Sequence, residues 1–204
     1  MRPTAYQLDA LQELVNIGVG RAASILNEMV GSHIHLQIPY TKLISSLEVQ
    51  QELEQQFGST PISAVRLGFH GSFTGVAQLV FSTDSASKLV AVLTRDEFGL
   101  YDLDAVRIGT LSEVGNIVIN GVMGSISNVL QRHLSYSLPI YLEDTVNNLL
   151  TAHAFEVASA AVLVSQARFT VEQLLIAGDI ILIFKLGELD TLLTALNVYS
   201  EESV

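Results

Sequence analysis

With 204 residues, about half of them apolar, the chain can bury a substantial core. A formal net charge of −11, with ten Lys and Arg spread over the whole length, argues against nucleic acid, whose phosphates need clustered cations, and against an anionic membrane surface. The absence of cysteine excludes a disulfide, a zinc–thiolate site and a thiol nucleophile.

No signal peptide is visible at Met1–Thr4, and apolar runs such as Leu174 to Phe184, broken by Gly178 and Asp179, are too short for membrane insertion. A cytoplasmic protein is therefore expected. In chain order, Leu8, Leu11, Val15, Gly18, Ala22, Ile25 and Met29 recur in steps of three and four, which predicts a helix from about Gln7 to Val30 with Thr4 as cap and a stop near Gly31-Ser32. Asp9, Glu13, Asn16 and Gly20 project on nearly the opposite side. His33 to Ile38 alternates as a strand with Ile34, Leu36 and Ile38 inward, and a second strand covers Lys42 to Val49. The polar Gln50 to Thr60 reads as a surface connection or a short helical turn. Ile62 to Phe69 and Phe73 to Phe81 form a hairpin, and Asp84 to Thr94 a short helix capped by Asp84 or Thr83. Arg95 to Leu103 connects to a second half: a helix from about Asp104 to Leu134, strands near Leu134 to Tyr141, Ala152 to Glu156, Ala160 to Phe169 and Asp179 to Leu186, and a last helix from Glu188 to Val198.

The second half repeats the first. Asp9-Ala-Leu-Gln-Glu13-Leu-Val-Asn16-Ile-Gly-Val-Gly20 returns one hundred positions on as Gly109-Thr-Leu-Ser-Glu113-Val-Gly-Asn116-Ile-Val-Ile-Asn120, and Pro39 and Pro139 follow at the same offset, two of four prolines in the chain. Phe81 to Leu93 matches Phe184 to Leu196 at an offset of 103. The expected fold is α/β of the α+β type: a single domain of two pseudo-twofold repeats, 1–98 and 99–204, whose two long motif helices pack on a joined, mainly antiparallel sheet. Gly18, Ala22, Ala23, Gly115, Gly121 and Gly124 allow those helices to lie close to a neighbour.

Glu and Asn at i and i+3 share a helix face. A carboxylate can pair with a partner's lysine or take a proton, and an amide, both donor and acceptor, can orient a water. Such a pair on an open helix resembles half of an active site, the other half coming from another protein. His33 and His35 share a strand face without a third ligand, no G-x-S-x-G elbow is present, and Gly18-Val-Gly20 lies inside a helical pattern rather than after a strand, which removes the phosphate-loop reading.

The pattern Asp9-x3-Glu13-x2-Asn16 with Pro39 downstream, and its copy Glu113-x2-Asn116 with Pro139, resembles the CheC family of chemotaxis phosphatases, related to CheX and FliY, over essentially the full chain. The resemblance implies hydrolysis of the aspartyl phosphate of a phosphorylated CheY-like receiver. Asn16 and Asn116 would position the attacking water, Glu13 and Glu113 would pair with the receiver's lysine, and Asp9, Pro39 and Pro139 would support them. It implies no cofactor or metal of the chain's own, Mg²⁺ being held by the receiver, and a CheD-like protein as a second partner. Gly109 stands where the family pattern has Asp or Ser, so the second site is expected to be the weaker. A non-catalytic receiver-binding adaptor or flagellar-switch-like module is the alternative.

Overall fold

The computed structural model describes residues 3–30, 33–38, 40–94, 103–151, 161–171, 174–184 and 188–202. The first half contains α1 (Ala5–Val30), β1 (Ile34–Gln37), β2 (Thr41–Ser45), α2 (Ser46–Phe57), β3 (Ile62–Gly71), β4 (Gly75–Ser82) and α3 (Thr83–Thr94). The same order returns as α4 (Leu103–Val129), β5 (Leu134–Tyr136), β6 (Ile140–Asp144), α5 (Val146–Thr151), β7 (Ala161–Val171), β8 (Leu174–Phe184) and α6 (Glu188–Glu202).

The eight strands make one sheet in the order β1-β7-β8-β4-β3-β5, with β2 also on β7 and β6 also on β3. All of these pairings are antiparallel. The halves are interlocked: β1 and β2 complete the edge of the second hairpin, while β5 and β6 complete that of the first. At the centre β4 faces β8, and each strand sets a glycine against the other's phenylalanine, Gly75 opposite Phe184 and Gly178 opposite Phe81. A Cβ on Gly178 would lie 2.5 Å from the Phe81 ring, so the missing side chain is what seats that ring. The offset of 103 seen in the sequence is this central pseudo-twofold pair.

One face of the sheet carries α1, α4, α3 and α6 over a core that includes Leu11, Val15, Phe69, Leu89, Val118, Ile126 and Leu192. The other carries α2 and α5 over Val49, Leu53, Val80, Val146, Val164 and Ile181. This is the expected α+β architecture, with two long helices on a joined antiparallel sheet. Burial of these apolar layers is the main drive for assembly. No helix among the described residues is long and apolar enough to cross a membrane.

Several elements differ from expectation. The second strand stops at Ser45, and residues 46 to 57 form a full helix, because Ser45 and Glu48 make a reciprocal capping box and Val49 and Leu53 bury one turn apart. Helix α3 is capped by Ser82, whose hydroxyl accepts from the Ser85 N–H at 3.0 Å, rather than by Thr83 or Asp84. Helix α4 ends at Val129, five residues early, and Gln131 turns the chain out with φ 50°. The strand expected over Leu134 to Tyr141 is two strands separated at residues 137–139, and α5 was not anticipated. The strand expected at Ala152 to Glu156, the stop at Gly31-Ser32 and most of the connection from Arg95 to Leu103 lie outside the described residues.

Candidate functional site

Helix α1 begins as its sequence predicts. The Thr4 hydroxyl accepts from the Gln7 N–H at 3.2 Å and the Gln7 amide oxygen accepts from the Thr4 N–H at 2.8 Å. The same Gln7 donates through Nε2 to the Leu193 carbonyl, 3.2 Å away on α6, and so ties α1 to the helix beside it. One hundred positions on, Arg107 does the corresponding work for α4, bonding Ser63 Oγ on β3 and Glu143 on β6, each at 3.1 Å. Both motif helices are thus anchored one or two turns ahead of their Glu.

The buried side of α1 comprises Leu11, Leu14, Val15, Val19, Ala22 and Leu26. Ile25 and Met29, expected in the core, are 47% and 58% exposed. The stripe drifts because core contact follows neighbours at both three and four residues along a long helix. Asp9 and Glu13 are exposed and Asn16 half-buried, with Gly20 open beyond them. On α4, Glu113 is exposed and Asn116 half-buried, although Leu111, Val114, Val118, Ile119 and Val122 around them are buried. The four residues read as catalytic therefore all reach the surface.

The motif helices pack directly on each other. A Cβ on Gly18 would lie 2.4 Å from Val122 Cα, and one on Gly121 2.6 Å from the Gly18 carbonyl oxygen, so backbones touch there. Gly115 serves the sheet instead, against Val65, while Gly124 has open space and does not share the packing role expected of it. Val129 lies near the start of α1, and Leu26 and Met29 near Thr110 and Glu113, so the helices run antiparallel. Each Asn precedes the crossing on its own helix, which sets the two motifs on opposite sides of it.

Each Glu opens onto a groove built in the same way. Glu13, with Asp9, Ala10, Leu14, Tyr6 and Ile17 of α1, shares a cavity of about 260 Å³ with Val129 of α4 and Leu196 of α6. Glu113, with Thr110 and Val114 of α4, shares one of about 160 Å³ with Leu26 and Met29 of α1 and Leu93 and Thr94 of α3. The lining pairs Ala10 with Thr110, Leu14 with Val114 and Met29 with Val129 at an offset of 100, and Leu93 with Leu196 at 103. Thr110 therefore brings a hydroxyl to the second groove, where Gly109 leaves open space at the position matching Asp9.

Among the described residues neither Glu13 nor Glu113 has a cationic partner, and no hydrogen bond engages Asn16. Asn116 differs: its Oδ1 accepts from Nδ2 of Asn120 at 2.7 Å. That bond was not read from the sequence, although Asn at i and i+4 was its signal. Pro139 is half-buried in the gap between β5 and β6, and Pro39 lies outside the described residues. No group of three His, Asp or Glu among the described residues could hold a metal ion. Among the described residues each motif offers a carboxylate without a cationic partner, beside an amide and above an apolar groove.

No protein-family model matches the chain. The CheY-P phosphatase CheC of Bacillus subtilis (strain 168) is 28% identical over 138 residues, which cover 65% of this chain and 64% of that protein. The chain is CheC-like. It spans a little under two thirds of the length of that relative. The crystal structure of Thermotoga maritima FliY matches the CheC-like chain with a TM-score of 0.76 at 18% identity, over 98% of this chain and 99% of FliY. A chain of the FliM–SpeE complex from H. pylori gives 0.71 at 10% identity, over 98% of both chains. A CheX–CheY–BeF3–Mg²⁺ complex from Borrelia burgdorferi gives 0.54 at 15% identity, over 85% of this chain and 99% of its match. At these identities the structures share the fold.

Proposed function

We propose that this CheC-like chain hydrolyses the aspartyl phosphate of a phosphorylated CheY-type receiver. The observation that carries the reading is the twofold Glu–Asn pair: both copies stand outward on antiparallel helices, and neither carboxylate has an ion partner among the described residues. An unpaired carboxylate beside an apolar groove suits a partner that brings a lysine next to apolar side chains. In this reading Glu13 and Glu113 pair with the receiver's active-site lysine, and Asn16 and Asn116 enter its site and hold the attacking water in line. Phosphoryl transfer needs mainly such positioning and charge stabilisation. The receiver supplies the aspartate and the Mg²⁺, so this chain's part is geometry. The Bacillus relative is a CheY-P phosphatase and the CheX structure is a complex with CheY, and both support the same assignment. A CheD-like partner is carried over from the family resemblance alone.

Phosphate release from phosphorylated CheY-type receivers tests the proposal: acceleration by the wild type, lost in the Asn16→Ala/Asn116→Ala variant, is expected. The second reading, a receiver-binding adaptor or flagellar-switch-like module, is favoured by the higher TM-scores of FliY and FliM than of CheX. Tight receiver binding without acceleration would select it.

A further inference from the structure

We infer that Asn120 is a positioning residue for Asn116, so that the second motif presents a tethered carboxamide and the first an untethered one. This rests on the phosphatase reading. The two asparagines are i and i+4 on α4, one helical turn apart, where side chains meet. Asn120 Nδ2 donates to Asn116 Oδ1 at 2.7 Å. The bond engages one lone pair of Asn116 Oδ1 and turns its Nδ2 away from Asn120, leaving that donor and a second lone pair free. Asn120 is itself half-buried, and its Oδ1 is shut off from solvent with no hydrogen-bond partner, so the bond to Asn116 is the contact its carboxamide makes. An amide whose oxygen is buried and unmet is a poor way to stabilise a helix. It is a good way to hold a neighbouring amide still.

At the matching position of α1 stands Gly20, whose missing Cβ would meet nothing within 4 Å, and no hydrogen bond among the described residues engages Asn16. A free surface carboxamide must be ordered when a partner docks, and one already held loses less freedom. The tether therefore favours turnover at the second motif, worth about threefold to tenfold. The open surface at Gly20 instead gives a partner's backbone closer approach at the first.

The test uses the full ¹⁵N-labelled chain. Side-chain amide relaxation is expected to give Asn116 a higher order parameter than Asn16. Asn120→Leu, of similar shape but unable to donate, should lower Asn116 to the level of Asn16, and Gly20→Asn should raise Asn16. In an Asn16→Ala background, Asn120→Leu should reduce kcat for receiver dephosphorylation about threefold to tenfold while KM stays within about twofold, with partial rescue by Asn120→Gln. Equal order parameters for Asn16 and Asn116, or an unchanged kcat in Asn120→Leu, would overturn the inference. If the wild type accelerates no receiver, the phosphatase reading falls, and relaxation still decides whether the tether exists.

Discussion

Gly18 and Gly121 meet backbone to backbone where α1 crosses α4: a Cβ on the first would sit 2.5 Å from the carbonyl oxygen of the second, and one on the second 2.6 Å from that of the first. Neither position has space to yield, because the opposing atoms are main chain. Gly18→Ala and Gly121→Ala are each expected to lower stability by about 1–3 kcal/mol, the overpacking cost outweighing the helix propensity that alanine gains. The double variant should cost less than the sum, since one displacement relieves both contacts. Gly109→Ala and Gly20→Ala provide the contrast, because their Cβ atoms meet nothing. Each should stabilise by about 0.5–1 kcal/mol. Urea denaturation of the four single variants checks the pattern; a loss of stability at Gly20 or Gly109 would contradict it.

The Glu–Asn motifs were legible before any fold was known because they repeat, and Thr4 as cap was legible because helix starts are local. What was not legible depends on distance in sequence. Among its described side chains helix α2 has only Val49 and Leu53 buried, amid many Gln and Glu residues, so its period is weak, although Ser45 followed by Glu48 was a readable capping signal. The exposure of Ile25 and Met29 could not be read, because residue type gives apolarity and not which neighbour covers it. The grooves beside Glu13 and Glu113 draw on three helices each, and the exchange of β1 and β2 onto β7 is a long-range pairing that no local pattern encodes.

The double variant Asn16→Ala/Asn116→Ala should keep its fold, since both side chains reach the surface and removing them opens no core cavity. Receiver dephosphorylation should fall on the order of a hundredfold, the scale for losing a positioning group. Circular dichroism and phosphate release measured on one preparation separate the two effects. Unchanged turnover would end the assignment of the asparagines.

The single variants should not be equivalent. The first groove is the larger and carries two carboxylates, Asp9 and Glu13, while the second has Thr110 and Glu113. A receiver lysine with apolar neighbours should bind the first more tightly. Asn16→Ala is therefore expected to cost more than Asn116→Ala at receiver concentrations well below KM, with the gap narrowing at saturation, where the tethered Asn116 contributes through kcat. Raising salt should raise KM more for the first site than for the second, because more exposed charge is involved there. The opposite ranking at low receiver concentration would show that Asp9 and the wider groove are unimportant.

On the far side of the sheet, Asp179 gives a prediction that depends on proton binding. The residue is 3% exposed, and in register it stands between Val80 of β4 and Gln166 of β7. Burial pushes its carboxyl up from 3.8 to about 6, against the opposing pull of a 3.3 Å hydrogen bond from Gln56 Nε2 on α2 and of the Lys42 charge, while Glu52 adds to the rise. The folded state thus holds this proton more tightly than the unfolded chain. Below about pH 3.8 both states are protonated and Asp179 costs nothing through ionisation. As pH rises from there to about 6 the unfolded chain ionises first, and the folded state loses up to about 3 kcal/mol relative to a neutral side chain. Asp179→Asn keeps the shape and an acceptor for Gln56 while removing the charge. It should raise the melting temperature at pH 7.5 by several degrees and leave it nearly unchanged at pH 4, with the difference growing between those limits. A gain of equal size at both pH values would mean that packing, not ionisation, sets the cost of Asp179.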